Sequence, residues 1–330
     1  MTRDTRVFGV LISCVCITTV WSLSAGAVAI PWSVIANTLF DLDGPKQDYI
    51  ILRSRLPRTL LALLTGASLA LSGAIVQALL RNPLASPKII GINSGAALGV
   101  CLMVLLLPGV SQRYLPVAAV VGGILAAAIV YVGAELRGAS PTRLVLVGIA
   151  VGFICDAGVD FILVTTTDAT FSAPLIWLTG SLWARGWGHL ALIWPWLVIC
   201  MGIALGLFYR LDLLRLGTLT ASGLGVNVRM SRLLLIVLAV LLAALSVSMV
   251  GVLGFVGLMA PHIARTLLGG GHARLLPCAM LVGMLLVVLA DAAGRALAPP
   301  IEISAGILTA IFGAPFFVMI MIGAERKERI

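Results

Sequence analysis

A chain of 330 residues that is 61% hydrophobic and 11% charged, with a mean hydropathy of +1.14, is too apolar for a soluble domain, which averages roughly 45–50% apolar and about 25% charged. A spanning helix needs about 20 predominantly apolar residues, so one polytopic helical membrane domain over 1–330 is expected, with no separate soluble domain. The net charge of +9 raises nucleic acid as a partner, but the placement of the cations points to membrane lipid and excludes nucleic acid.

In chain order, runs with few or no charges occur at 7–29, 59–80, 89–107, 115–134, 144–165, 190–209, 233–261, 275–290 and 303–324. The first follows Arg3 and Arg6 and precedes "AGA" at Ala25–Ala27, which imitates a cleaved secretory signal. In a chain made of spans it reads instead as the first anchor. The seventh run is too long for one helix and carries Gly251, Gly254, Gly257 and Pro261 in its second half. A helix to about 250, a break at the glycines and a short further helix to about 265 give ten spans.

Parity supports ten. With both termini cytoplasmic, the inside loops hold 15 of the 22 basic residues and the outside loops 7, as the positive-inside rule requires. Nine spans would put the basic "ERKERI" terminus outside. The stretch "RNPLASPKIIGIN", 81–93, is then cytoplasmic, and its prolines and Asn-Pro step make it a shaped turn rather than a slack tether. Small residues at Gly66, Gly73 and Gly122 sit at spacings that let membrane helices approach closely.

No catalytic constellation emerges. His189, His262 and His272 lie near span ends without metal-ligand pairing, and six cysteines in apolar runs read as buried filler. A P-loop needs Gly-Lys-Ser/Thr; Lys46, Lys88 and Lys327 follow Pro, Pro and Arg. The chain is therefore not read as an enzyme, and no cofactor is expected on it. Asp156 and Asp160 share one face of the fifth span. They mark either a substrate or ion path, or one carboxylate bonded to a neighbouring helix and one near outer water. Asp291 and Arg295 form a second i, i+4 pair, either a local ion pair or a functional site. The inside loop "RLDLLRLGTLTASGLGVNVRMSR", 210–232, reads as an amphipathic rest on lipid or a docking element.

The string Arg55–Gly99, followed in order by "IWLTGSLWARGW", "ASGLGV", "GFVGLMAPHIAR", "LADAAGRAL" and "GILTAIFGAPFF", resembles the permeases of ATP-binding cassette importers for iron-siderophores, haem and vitamin B12. The resemblance implies the ten-helix, type II importer permease fold in the bacterial inner membrane. It also implies a partner permease (heterodimer favoured, homodimer possible), two cytoplasmic ATPases that hold ATP and magnesium, and a periplasmic binding protein. By matching position, Arg55, Arg58 and Arg295 are expected to receive acidic residues of the binding protein as exposed pairs. Asn82, Leu84, Ser140 and Thr142 are expected at the cytoplasmic gate, and Thr220, Ala221, Leu224 and Gly225 in the ATPase-coupling element. Asp156 and Asp160 fall on the pore-lining helix. The cargo implied is a ferric hydroxycarboxylate such as ferric citrate, with haem or vitamin B12 as alternatives. A rival class is an ion-coupled transporter using Asp156, Asp160 and Asp291 as a relay.

Overall fold

The computed structural model describes residues 3–107, 109–135, 141–166 and 172–328. Its described residues form helices and no strands, as a chain must when lipid offers no partners to its backbone. Ten helices fall where the spans were expected: α1 Arg3–Ser24, α2 Leu56–Leu80, α3 Ile92–Leu106, α4 Leu115–Glu135, α5 Pro141–Thr165, α6 Trp187–Gly206, α7 Val228–Val250, α8 Val256–Leu268, α9 His272–Ala296 and α10 Ala305–Glu328. Eight are long and apolar enough to cross a membrane by length and composition. The other two, α3 with 15 residues and α8 with 13, rise only about 20 Å each. Both are preceded by non-helical backbone.

Helix α2 occupies the centre. From Thr65 to Ala78 every residue is buried, against α6, α7, α8 and α9. Two small-residue contacts make this possible, and a third packs α4 on α3. A Cβ added at Gly66 would fall on the Gly283 carbonyl of α9, one at Gly73 on the Gly257 carbonyl of α8, and one at Gly122 on the Gly95 carbonyl of α3. Polar glue is added where the backbones are close: Ser68 Oγ donates to the Leu242 carbonyl at 3.0 Å and Ser72 Oγ to that of Ala239 at 2.7 Å.

The expected break between α7 and α8 is present. Gly251 closes α7 at φ +71, and a side chain there would strike the Trp177 carbonyl. Four residues on, Phe255 takes the left-handed conformation at φ +63, which costs a side-chain-bearing residue about 1–3 kcal/mol. Its ring is seated on Gly313 of α10. Helix α8 therefore starts partway through the bundle, level with Leu69 and Gly73 of α2.

Hydrogen bonds sort the loops into two ends. Arg3 reaches the Leu267 carbonyl, Arg274 pairs with Asp4, Arg81 reaches Leu214 and Arg215 reaches Gly270. This is the basic end. At the opposite end Arg295 bonds Ser22 and Ala25, Trp187 bonds Leu52, and Gly306 bonds Gly180. The alternation agrees with ten crossings.

Gly73→Val is expected to destabilise the bundle by on the order of 3 kcal/mol through overpacking. Gly9→Val, with nothing near its added side chain, serves as the silent control. Equal thermal midpoints for the two purified variants would contradict the packing account.

Candidate transport path and its two ends

The turn between α2 and α3 is built residue by residue. Arg81 ends α2 in the left-handed conformation at φ +51, its N–H donating to Gln77 and Ala78. Asn82 Oδ1 then accepts from the Leu84 N–H at 2.9 Å, and the Asn82 carbonyl accepts from Ala85 at 3.1 Å. Pro87–Ile90 makes a short 3-10 turn, and Gly91 at φ +74 starts α3. The stretch is a rigid turn, as expected. Gly148 of α5 presses on its Ile89 carbonyl, so α5 and the turn are in backbone contact. Asn82 is exposed and Leu84 half-buried; Thr142 is exposed in the first turn of α5. Ser140 lies outside the described residues.

Asp156 and Asp160 are both exposed on α5 and line a cavity of about 200 Å³ with Lys88, Asn93, Ser94 and Val252. Neither carboxylate is hydrogen-bonded to another described residue, so the alternative of a bond from Asp156 to a neighbouring helix does not hold. An adjoining cavity of about 170 Å³ shares Lys88, Asn93 and Val252 and is walled by Gly254, Phe255 and Gly257 of the break. Non-helical backbone at membrane depth is tolerated where it lines such a cavity. The α5 face around the two carboxylates exposes Phe153 at 71%, Ile154 at 69%, Phe161 at 69% and Val164 at 83%. Carboxylates on such a face are costly against lipid, so it calls for water or a second protein surface.

Three expected docking residues are placed differently. Arg55, Arg58 and Arg295 are not exposed: they retain 7%, 9% and 4% of their surface. Their chemistry is internal. Arg58 and Arg295 share Asp291, with Arg58 Nη2 at 2.8 Å and Arg295 Nε at 3.2 Å, and Arg58 also pairs with Glu302 at 2.8 Å. Arg295 donates to the Ser22 and Ala25 carbonyls at 2.9 and 2.8 Å. Arg55 donates to those of Leu23, Ser24 and Val28 at 2.6–2.8 Å. The last carbonyls of α1 have no intrahelical partners, and cations suit a helix C-terminus. The arginines therefore clamp the end of α1 onto α2 and α9. Asp291, 2% exposed, belongs to this clamp and does not join Asp156 and Asp160, which removes the third member of a carboxylate relay.

Sequence reasoning missed Glu302 and the place of Lys88. Glu302 is the one carboxylate in the otherwise apolar "APPIEIS" loop, and the sequence shows Lys88 only as a lysine of the 81–93 turn that belongs to no P-loop. In the loop before α6, Arg185 is half-buried, and burial pulls its guanidinium below the ordinary arginine value.

At the basic end the 210–232 segment forms short helices, Phe208–Arg215 and Thr218–Gly223. The second ends in a Schellman pair: Val226 N–H bonds the Ala221 carbonyl at 3.0 Å and Gly225 N–H that of Ser222 at 2.9 Å. This requires the left-handed φ of +81 at Gly225, which glycine supplies without strain. Ala221 anchors the element with no exposed surface, whereas Thr220 and Gly225 are exposed and Leu219 and Leu224 project at 89% and 59% exposure. Asn227 caps α7, its Oδ1 accepting from Met230 at 3.0 Å.

A bundle of ten helices, one starting mid-depth, with paired carboxylates on an uncovered face, is the architecture of a membrane permease. The chain belongs to the FecCD transport family, which it matches over residues 14–323. It is 42% identical over 307 residues to the Fe(3+)-citrate import system permease protein YfmE of Bacillus subtilis (strain 168), covering 93% of this chain and 92% of the relative. It is 40% identical over 297 residues to the Fe(3+)-citrate import system permease protein YfmD of the same strain, covering 90% and 88%. Among solved structures, a chain described as a metal-chelate type ABC transporter in an inward-facing conformation superposes with a TM-score of 0.84 at 35% identity, over 97% of this chain and 99% of that one.

Asp291→Asn is expected to leave Arg58 and Arg295 buried without their shared counter-charge, destabilising the fold by about 3–5 kcal/mol. Asp41→Asn removes a surface pair with Lys46, where Asp41 is 95% exposed, and should leave the unfolding midpoint in detergent unchanged. A silent Asp291→Asn would refute the clamp.

Proposed function

We propose that this chain is one permease subunit of an ATP-binding cassette importer in the bacterial inner membrane, carrying a ferric hydroxycarboxylate, with ferric citrate as first candidate, into the cytoplasm. The observation that carries the reading is the uncovered α5 face, where Asp156 and Asp160 share a cavity with Lys88, adjoining a second one walled by the α8 break. Opposed by a second permease, that face becomes a closed polar path. Similarity to two Fe(3+)-citrate permeases from a single strain supports the cargo class and favours a heterodimer of unlike permeases over a homodimer. Haem and vitamin B12 remain the alternatives to be excluded by transport.

In this reading both termini face the cytoplasm. The turn of Asn82 and Leu84, with Thr142 and Ser140 opposite, narrows the inner mouth. Gly148 transmits movement of α5 to that turn. The Thr218–Gly223 helix seats in a cytoplasmic ATPase, with Leu219 and Leu224 as its projecting apolar groups and Thr220, Ala221 and Gly225 setting its shape. ATP and magnesium are held by those ATPases. A periplasmic binding protein docks on the outer surface, whose form depends on the clamp of Arg55, Arg58 and Arg295. For these arginines to receive its acidic residues directly, they would have to leave their present partners.

Proteoliposomes of the assembled complex should take up ferric citrate with internal or external ATP, according to orientation, when ionophores have collapsed all ion gradients. Uptake that requires a gradient and ignores ATP would sink the importer reading, and uptake of haem or cobalamin in preference to ferric citrate would replace the cargo. Gly225→Trp is expected to fold normally apart from about 1 kcal/mol of backbone strain, because the space around it is open, yet to lose uptake through failure to seat in the ATPase. Normal uptake by that variant would remove the coupling assignment.

A further inference from the structure

A second polar cavity, of about 250 Å³, shares no residue with the one that holds Asp156 and Asp160. Gln77, Arg81, Arg215, Arg265 and His272 line it at the basic end. The chain reaches it from four helix ends. Arg81 caps α2, Arg265 lies in the last turn of α8, and His272 opens α9. Arg215 ends the short helix that leads into the Thr218–Gly223 element. Gln77 and His272 form a buried floor, at 2% and 1% exposure.

The charges here are handled unlike those of the opposite end. There, Arg58 and Arg295 are neutralised by Asp291 and Glu302. Here the guanidinium groups meet only neutral acceptors: Arg81 the Leu214 carbonyl at 3.0 Å, Arg215 the Gly270 carbonyl at 3.3 Å, and Arg265 the Gln77 Oε1 at 3.5 Å. None of the three forms an ion pair with a described residue. The neighbouring carboxylate, Asp212, is already engaged. It accepts from the His272 N–H at 3.1 and 3.2 Å and contacts its Nδ1 at 2.6 Å, capping α9. Arginines converging on a polar volume without a counter-charge match a phosphate oxyanion, which takes guanidinium forks in bidentate fashion.

We propose that this cavity is a phosphate-binding site, filled by the headgroup of an anionic phospholipid of the cytoplasmic leaflet. Its place argues for lipid: Arg81 and Arg215 are exposed and Arg265 half-buried at the ends of apolar helices, and basic pockets between such helix ends take anionic headgroups. A headgroup there bridges Arg215, just before the Thr218–Gly223 helix, to Arg81, which precedes Asn82 in the turn at the inner mouth. It thereby joins those two elements through a ligand rather than through protein contacts.

The test uses the full chain in its native assembly, placed in phosphatidylcholine nanodiscs with increasing phosphatidylglycerol, and counts retained lipid by native mass spectrometry. The wild type should retain phosphatidylglycerol selectively, and Arg81→Gln with Arg215→Gln should weaken that retention about thirtyfold. A second arm titrates inorganic phosphate without anionic lipid. Tight binding with the same arginine dependence would uphold the oxyanion site and assign it a soluble occupant. Equal retention by wild type and the double variant overturns the proposal, as does a loss of ATPase docking with lipid retention unchanged. Should the variant fail to fold, the wild type alone decides: no preference for phosphatidylglycerol over phosphatidylcholine overturns it.

Discussion

Helix α2 can stand at the centre of this bundle because Gly66 and Gly73 bring its backbone against the backbones of α9 and α8. Most of what distinguishes the protein follows from that approach. The Gly73–Gly257 contact fixes the start of α8 partway along α2, so the chain must descend from Gly251 to Phe255 without helical hydrogen bonding. Unpaired backbone there is tolerable only against protein or a polar cavity. The cavity exists because the turn at 81–91 and α5 close around it from the other side, through Gly148 on Ile89. Packing between small residues in the apolar layer thus creates a region where polar groups gather at depth.

Charge is distributed by the same logic. At the end with Arg55, Arg58 and Arg295, cations are buried, and each is satisfied by a carboxylate or by the orphan carbonyls of α1. Removing a partner would strand a buried charge, so the arrangement is stiff. At the basic end, Arg81 and Arg215 are exposed and Arg265 is half-buried, and none of the three pairs with a carboxylate among the described residues. On α5, Asp156 and Asp160 lack cationic bonds and remain available. A clamp of buried ion pairs at one end, a polar cavity at mid-depth and cations without carboxylate partners at the other end suit the transport cycle proposed above.

The helices and their number were legible because apolar runs and cation placement report directly on spans, and the glycine-rich break betrayed itself by an uncharged run too long for one helix. The shape of the 81–93 turn was legible from its prolines and Asn82. What could not be read was the burial of the arginines. A cation near a span end looks alike in sequence whether it faces water or reaches the carbonyls of a distant helix, 32 residues earlier for Arg55 and 273 for Arg295. Arg55, Arg58 and Arg295 were expected exposed for that reason, and Glu302 was missed because its partner Arg58 lies 244 residues away. The placement of Lys88 in one cavity with the α5 carboxylates likewise depends on long-range packing. Periodicity on α5 put Asp156 and Asp160 together but left open what they face.

The central claim is that the α5 face bearing Asp156 and Asp160 lines a water-filled path rather than lipid. Cysteine placed at position 160, in a chain stripped of its native cysteines and assembled with its partners, reports this directly. A membrane-impermeant charged thiol reagent should label Asp160→Cys at a rate near that of an exposed loop cysteine, and binding of cargo-loaded binding protein should change that rate. Labelling by lipid-soluble reagents alone, at a rate indifferent to the transport state, would contradict the account.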